Sequence, residues 1–141
     1  MKNSKDDEFE TPTELYLKLC NKYNIFPKLD VAANETNKLC DKFCIDGLRE
    51  SWSEDVWCNP PHSKTGKFVE KAYNEWGFGN INILMIIPAN TVSSKFWHKY
   101  IEGIAEYHAQ PQGRIRFNKN KKPTEFQARN AYMVVVWRVR R

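Results

Sequence analysis

One run of the chain carries residue types suited to chemistry: Asn59-Pro60-Pro61-His62, directly after the apolar Val56-Trp57-Cys58. The side-chain oxygen of an Asn and a neighbouring backbone carbonyl can together accept the two hydrogens of an exocyclic amino group such as adenine's. The lone pair of that nitrogen is normally delocalised into the ring, and holding both hydrogens draws it towards a tetrahedral, nucleophilic form. Two prolines fix the turn and bring no N–H to compete for the acceptors. The flat ring of His62 can stack on a base swung out of its duplex. An isolated Asn-Pro-Pro more often does no more than close a strand, so its surroundings decide.

Thirteen positions upstream stands Asp46-Gly47-Leu48, and sixteen before that stands Asp30, at the end of the short apolar piece Lys28 to Ala33. Two carboxylates followed by Asn-Pro-Pro is the layout of a site that holds ribose hydroxyls and an adenine amino group beside a second substrate. A rival use of the same stretch is metal binding, because Cys40, Cys44, Cys58 and His62 show the spacing of a structural zinc site. The apolar neighbours of Cys44 and Cys58 argue instead for buried free thiols, and no metal is expected. His98 and His108 read as surface or packing residues, and Trp52, Trp57, Trp76, Trp97 and Trp137, scattered at element spacing, read as core.

The elements that must position these residues follow from pattern. Thr11-Pro12-Thr13-Glu14 reads as a helix start with a Thr cap, proline in the first turn and an acid beside the positive dipole end. Leu15, Leu19 and Tyr23 continue it at helical spacing. Strands are expected within Phe26–Ala33, at Asp55–Cys58 and at Asn82–Ile87, the last apolar enough for burial on both faces. Helices are expected over Asn34–Phe43, Lys67–Trp76 and Ser93–Ile104. Two further strands are expected around Gly113–Phe117 and Ala131–Trp137, joined by a lysine-rich loop, Asn118–Asn130. Strands alternating with helices, then two strands in succession, predict a three-layer α/β domain whose mostly parallel sheet ends in an antiparallel C-terminal pair. Ligands of such sheets bind beyond the carboxyl ends of the strands, where Asp30 and Asn59 fall.

The 141 residues are 41% hydrophobic, enough for one domain with a substantial core, which excludes a wholly disordered chain. Residues 1–10 are expected to form a flexible acidic tail and residues 11–141 a single domain. The longest apolar run, Ile81 to Ala89, is far shorter than the roughly 20 residues of a membrane span. No apolar signal segment follows Met1, so a soluble cytoplasmic protein with reduced cysteines is expected. The net charge of +5 is uneven. Pro111 to Arg141 holds nine basic residues and one acid, a local +8 that suits a phosphate-bearing partner.

Taken together the motifs resemble those of the S-adenosylmethionine-dependent amino methyltransferases, specifically the small phage-type DNA N-6 adenine methyltransferases. The matching pieces include Thr11-Pro12, Leu29-Asp30-Val31-Ala32-Ala33, Asp46-Gly47-Leu48, Trp52, Val56 to Pro61, Phe68 to Ala72, Trp97 and Gly113 to Phe117, and the resemblance covers roughly residues 10 to 138. It implies a compact Rossmann-like methyltransferase sheet and transfer of a methyl group from S-adenosyl-L-methionine to the N-6 amino group of adenine in DNA. By the same resemblance Thr11 and Pro12 lie near the methionine end of the cofactor, Asp30 and Ala32 form the cofactor loop, and Asp46 receives the cofactor's adenine amino group. Asn59, Pro60, Pro61 and His62 hold the target base. Two departures mark this chain: Ala32-Ala33-Asn34 stands where most methyltransferases have a glycine-rich turn, and His62 stands where the family usually has Tyr or Phe. With no room for a separate target-recognition domain, DNA contacts would come from Lys64 and Lys67 in one short loop and Lys119, Lys121 and Lys122 in another. The alternatives are an adenine in RNA, a protein glutamine, or an inactive DNA-binding module of the same fold.

Overall fold

The structure, a computed structural model, describes residues 10–110, 116–119, 122–127 and 132–139. Among these, β1 (Leu29–Asp30), β2 (Lys42–Phe43), β3 (Val56–Cys58), β4 (Ile83–Pro88), β5 (Glu106–Gln110) and β8 (Tyr132–Trp137) form one sheet in the order β2-β1-β3-β4-β8-β5. The pairings from β2 to β4 are parallel, and β8 runs antiparallel to both β4 and β5. A second ladder pairs β6 (Arg116–Lys119) with β7 (Lys122–Gln127). The helices are α1 (Thr13–Tyr23), α2 (Thr65–Phe78) and α3 (Lys95–Tyr100).

Alternation along the central strands sorts side chains into two cores. Trp57, Leu84, Ile86, Val134 and Val136 pack with Tyr16, Leu19, Cys20 and Tyr23 of α1. Their sequence neighbours Val56, Cys58, Ile83, Met85, Val135 and Trp137 pack with Phe68, Val69, Ala72 and Trp76 of α2 and Trp97 and Tyr100 of α3. A period of two in a strand delivers successive residues to opposite faces, and every residue of β8 is buried. Burial of each such aliphatic side chain contributes about 1.5–3 kcal/mol. No helix among the described residues is long and apolar enough to cross a membrane.

Several expected elements differ. Asn34–Phe43 is not a helix but a run of turns ending in β2. The Asn34 carboxamide oxygen takes the backbone N–H groups of Thr36 and Asn37 at 2.9 and 3.0 Å, and the Asn37 oxygen takes that of Asn34 at 2.7 Å. These local bonds compete directly with helical ones. The helix expected over Ser93–Ile104 is shortened to α3, preceded by a 3-10 turn at Ala89–Ser93 and followed by turns in which Gly103 adopts φ 76°. Such a left-handed backbone suits glycine.

On the side away from β4 the antiparallel neighbour of β8 is β5, whose Glu106, Tyr107, His108 and Ala109 are all exposed. An edge strand need not alternate, which hides it from a hydrophobic pattern. Arg116–Lys119 pairs instead with β7, which occupies much of the expected loop Asn118–Asn130 and tolerates Pro123 in its two-stranded ladder. The expected acidic tail falls outside the described residues up to residue 9, as do residues 113–115 of the expected strand.

Candidate active site at the carboxyl ends of the parallel strands

The chain leaves β1 for β2 on one side, then crosses back to β3 on the other side of β1. The carboxyl ends of β1 and β3 therefore flank a topological switch point, the place where open α/β sheets bind ligands. Their register sets Asp30 opposite Trp57, and the Val31 N–H donates to the Trp57 carbonyl at 3.2 Å. Asp30-Val31-Ala32 and Cys58-Asn59-Pro60 thus emerge side by side.

Thr11 reaches this edge through the packing of α1. Tyr16 meets Trp57 edge-on at 5.1 Å between ring centroids, which holds the start of α1 over β3. Pro12, not Thr11, is the N-cap of α1, and no side chain caps it. The buried Thr11 hydroxyl instead accepts a hydrogen bond of 2.9 Å from Asn59 Nδ2. The expected cap is therefore corrected: this hydroxyl orients the carboxamide. With the nitrogen so engaged, the Asn59 oxygen points from the opposite side of its amide group.

The turn after Asn59 is shaped by local bonds. The Pro61 carbonyl accepts the Lys64 N–H at 2.8 Å, and the His62 carbonyl accepts the Thr65 hydroxyl at 2.9 Å, building a 3-10 turn at His62–Lys64 that leads into α2. Pro60 is buried, whereas Pro61 and His62 are half-buried. His62 Nε2 lies 3.2 Å from the hydroxyl of Tyr132 on β8, with ring centroids 6.0 Å apart. Sequence reading missed Tyr132, because 70 residues separate the two and only the antiparallel insertion of β8 beside β4 brings them together.

Asp30 is 2% exposed, and its carboxylate accepts the Ala32 N–H at 3.3 Å and the Leu39 N–H at 3.0 Å. Burial pushes its carboxyl up to about 6, against the opposing pull of those two bonds. It faces the backbone of the connection between β1 and β2, so it shapes that loop. Asp46, beyond β2, is accessible and pairs with Arg49 at 3.2 Å.

Gly47 explains how Asp46 is placed. A Cβ on Gly47 would lie 1.9 Å from the Val31 carbonyl oxygen, and the Gly47 carbonyl accepts the Trp52 indole N–H at 2.9 Å. Only a residue without a side chain fits there, which presses the Asp46 segment against the end of β1. Ile45, 80% exposed beside Asp46, is a second residue that sequence reading passed over. Its signal was a lone β-branched apolar residue between a strand end and a carboxylate.

The four cysteines are buried free thiols. Cys20 and Cys40 lie in the α1-side core, Cys44 and Cys58 in the other. Among the described residues no three groups of metal-ligating type come together. His98 is exposed and contacts Glu102, while His108 meets the Tyr23 hydroxyl at 2.9 Å. Lys64 is half-buried in the 3-10 turn and Lys67 is exposed on α2. Lys119 and Lys122 pair across β6 and β7, and Lys121 lies outside the described residues.

Fold and site together define a mixed α/β protein with a polar turn, an oriented carboxamide and two carboxylate-bearing segments gathered at one end of a mostly parallel sheet. Residues 1–141 match the model of the DNA N-6-adenine-methyltransferase (Dam) family, and the chain belongs to that family. The DNA N-6-adenine-methyltransferase of Escherichia phage T1 is 36% identical over 95 residues, covering 64% of this chain and 39% of the phage protein. The chain thus spans about two fifths of the length of this curated relative.

Proposed function

We propose that the protein transfers a methyl group from S-adenosyl-L-methionine to the N-6 amino group of adenine in DNA. The observation that carries this reading is the Asn59 carboxamide, oriented by Thr11 at the mouth of the switch point in a chain of the Dam family. The cores on either side of the sheet, one built on α1 and the other on α2 and α3, support a three-layer Rossmann-like arrangement.

In this reading the Asn59 oxygen accepts one amino hydrogen of the target. The Pro61 carbonyl is engaged by Lys64, so the Pro60 carbonyl supplies the second acceptor. Holding both hydrogens localises the nitrogen lone pair, and His62, steadied by Tyr132, stacks on the extruded base. The proton leaves after transfer, when the nitrogen is strongly acidic, so the reaction needs no dedicated base.

The residues at the ends of β1 and β2 fit the cofactor. Ala32 and Ala33 are small and half-buried, Asp46 offers an accessible carboxylate to an amino group, and Ile45 offers apolar surface to a ring. Thr11 and Pro12 close the side nearest Asn59, and Asp30 acts through the loop it holds. When bound, S-adenosyl-L-methionine supplies an electrophilic methyl group on a sulfonium sulfur. The protein's contribution is to hold the acceptor nitrogen in line with that methyl and to exclude water.

The test is incorporation of labelled methyl into unmethylated DNA, followed by nucleoside mass spectrometry. N-6-methyladenine is the expected product. Asn59→Ala is expected to abolish turnover while cofactor still raises the melting temperature; an Asn59→Ala protein that turns over at the parental rate refutes the assignment.

A further inference from the structure

Between α2 and α3 the surface opens into a cavity of about 330 Å³. Gly66 and Phe96 are among its lining residues, with the Phe96 ring 3.0 Å from where a Gly66 Cβ would stand. Any larger residue at position 66 would press on the Phe96 ring. Lys67 on one wall and Lys95 and Lys99 on the other are exposed, and among the described residues no carboxylate pairs with any of them. The one acid in the lining, Glu70, accepts the Tyr100 hydroxyl at 2.8 Å. Three ammonium groups against one hydrogen-bonded carboxylate leave the groove cationic around the apolar Phe96.

Its position is set by the sheet. α2 follows the turn after β3, and α3 follows the 3-10 turn after β4. β3 and β4 are adjacent and parallel, with Cys58 opposite Met85, so the starts of both helices lie at the same end of the sheet as Asn59. A polyanionic strand whose base sits at Asn59 would continue past this groove.

We propose that the α2–α3 groove seats the DNA backbone flanking the target adenine, with Lys67, Lys95 and Lys99 on its phosphates and Phe96 against the adjoining sugar or base. The proposal rests on DNA being the substrate, and it adds the α3 wall to the contacts expected from the loop before α2. Phosphate contacts of this kind carry no sequence information; they set the register of the strand relative to the site. Each ammonium that meets a phosphate releases a condensed counterion, which makes its contribution visible in salt dependence.

The experiment is fluorescence anisotropy with a labelled 16-base-pair duplex and the full chain, without cofactor, between 50 and 200 mM salt. The double substitution Lys95→Gln with Lys99→Gln is expected to make the slope of log affinity against log salt shallower by about 1.8. Lys18→Gln with Lys28→Gln, exposed residues on α1 and before β1, is the comparison and should leave the slope unchanged. An unchanged slope in the α3 variant overturns the proposal, and so does an equal change in the comparison. Thermal melting of both variants confirms that the fold is kept. A parent chain that binds duplex through these lysines yet transfers no methyl removes the methylation reading and leaves the groove standing. A chain that methylates DNA while the α3 variant keeps its slope removes the groove alone.

Discussion

Gly47 allows the same chemical change, one added methyl, to be predicted with opposite signs at two positions. In Gly47→Ala the new Cβ would start 1.9 Å from the Val31 carbonyl oxygen, where ordinary contact begins at 3.4 Å. Relief demands a displacement on the order of 1.5 Å between two backbone segments, and backbone in a packed core has little freedom to yield. Overpacking of this kind costs about 1–3 kcal/mol. The same displacement pulls the Gly47 carbonyl from the buried Trp52 indole N–H, and an unsatisfied buried donor costs about 1–3 kcal/mol more. A total near 3 kcal/mol, with an unfolding entropy of about 2.1 cal/mol/K per residue over 141 residues, lowers Tm by about 10 °C. Gly77 lies near the end of α2 with nothing within 4 Å of its would-be Cβ. Gly77→Ala should therefore stabilise by about 0.5 kcal/mol, a Tm gain of about 2 °C, by removing backbone freedom from the unfolded chain. Scanning calorimetry of the three proteins decides. A Gly47→Ala protein melting within 2 °C of the parent (roughly 0.6 kcal/mol) refutes the close approach of the Asp46 segment to β1.

The remaining predictions concern the site and its supports. Thr11→Val removes the hydroxyl that orients Asn59 while keeping the side chain's shape; losing one hydrogen bond of about 1.4 kcal/mol should cut the methyl-transfer rate at saturating cofactor about tenfold. A parental rate in single-turnover assays would contradict that role. Asp30 has a folded-state pKa of about 6 against an ordinary 3.8, so the native state binds the extra proton between these values and the group's contribution to stability falls as pH rises through that window. At 1.36 kcal/mol per pH unit the loss is about 3 kcal/mol. Urea unfolding of the parent and of Asp30→Asn at pH 4 to 7 should show the difference between them narrowing or reversing by that order, and a pH-independent difference would refute it. Burial pushes the thiols of Cys40 up to about 12 and Cys44 up to about 11 and raises those of Cys20 and Cys58. A disulfide reagent at pH 8 should accordingly modify all four only on unfolding, and rapid reaction of the native protein would show a thiol open to solvent.

What was legible in the sequence was what burial or sterics dictates locally. The apolar run of β4 announces a strand covered on both faces, the continuous apolar Tyr132 to Trp137 announces β8, and Asn59-Pro60-Pro61 announces an abrupt end to β3. The two-residue strands β1 and β2 and the polar edge strand β5 carry too little hydrophobic pattern to be bounded. Asn34–Phe43 misleads because its Asn side chains take up the backbone N–H groups that helical spacing leads one to assign elsewhere. At the site, residue types marked Asn59, Asp30 and Asp46, but their partners came from long-range packing. Thr11 looks like a helix cap until α1 is laid on Trp57, and Tyr132 belongs beside His62 only once β8 lies next to β4.

The last long strand in the chain is an inner strand of the sheet. Among the described residues, β5 hydrogen-bonds to β8 and to no other strand, and β4 has β8 as its second neighbour. Trp137 donates its indole N–H to the Tyr100 carbonyl, Trp76 donates its own to the carbonyl of Arg138, and the Val139 N–H is held by Asn82. During synthesis, then, residues 106–110 emerge with no ladder to join, and the apolar flank of β4 stays uncovered until residues 132–137 have left the ribosome. At about 5–20 residues per second that interval lasts a second or more. A nascent chain stalled in it presents an uncovered apolar strand edge, the kind of surface that makes partly folded chains prone to aggregate.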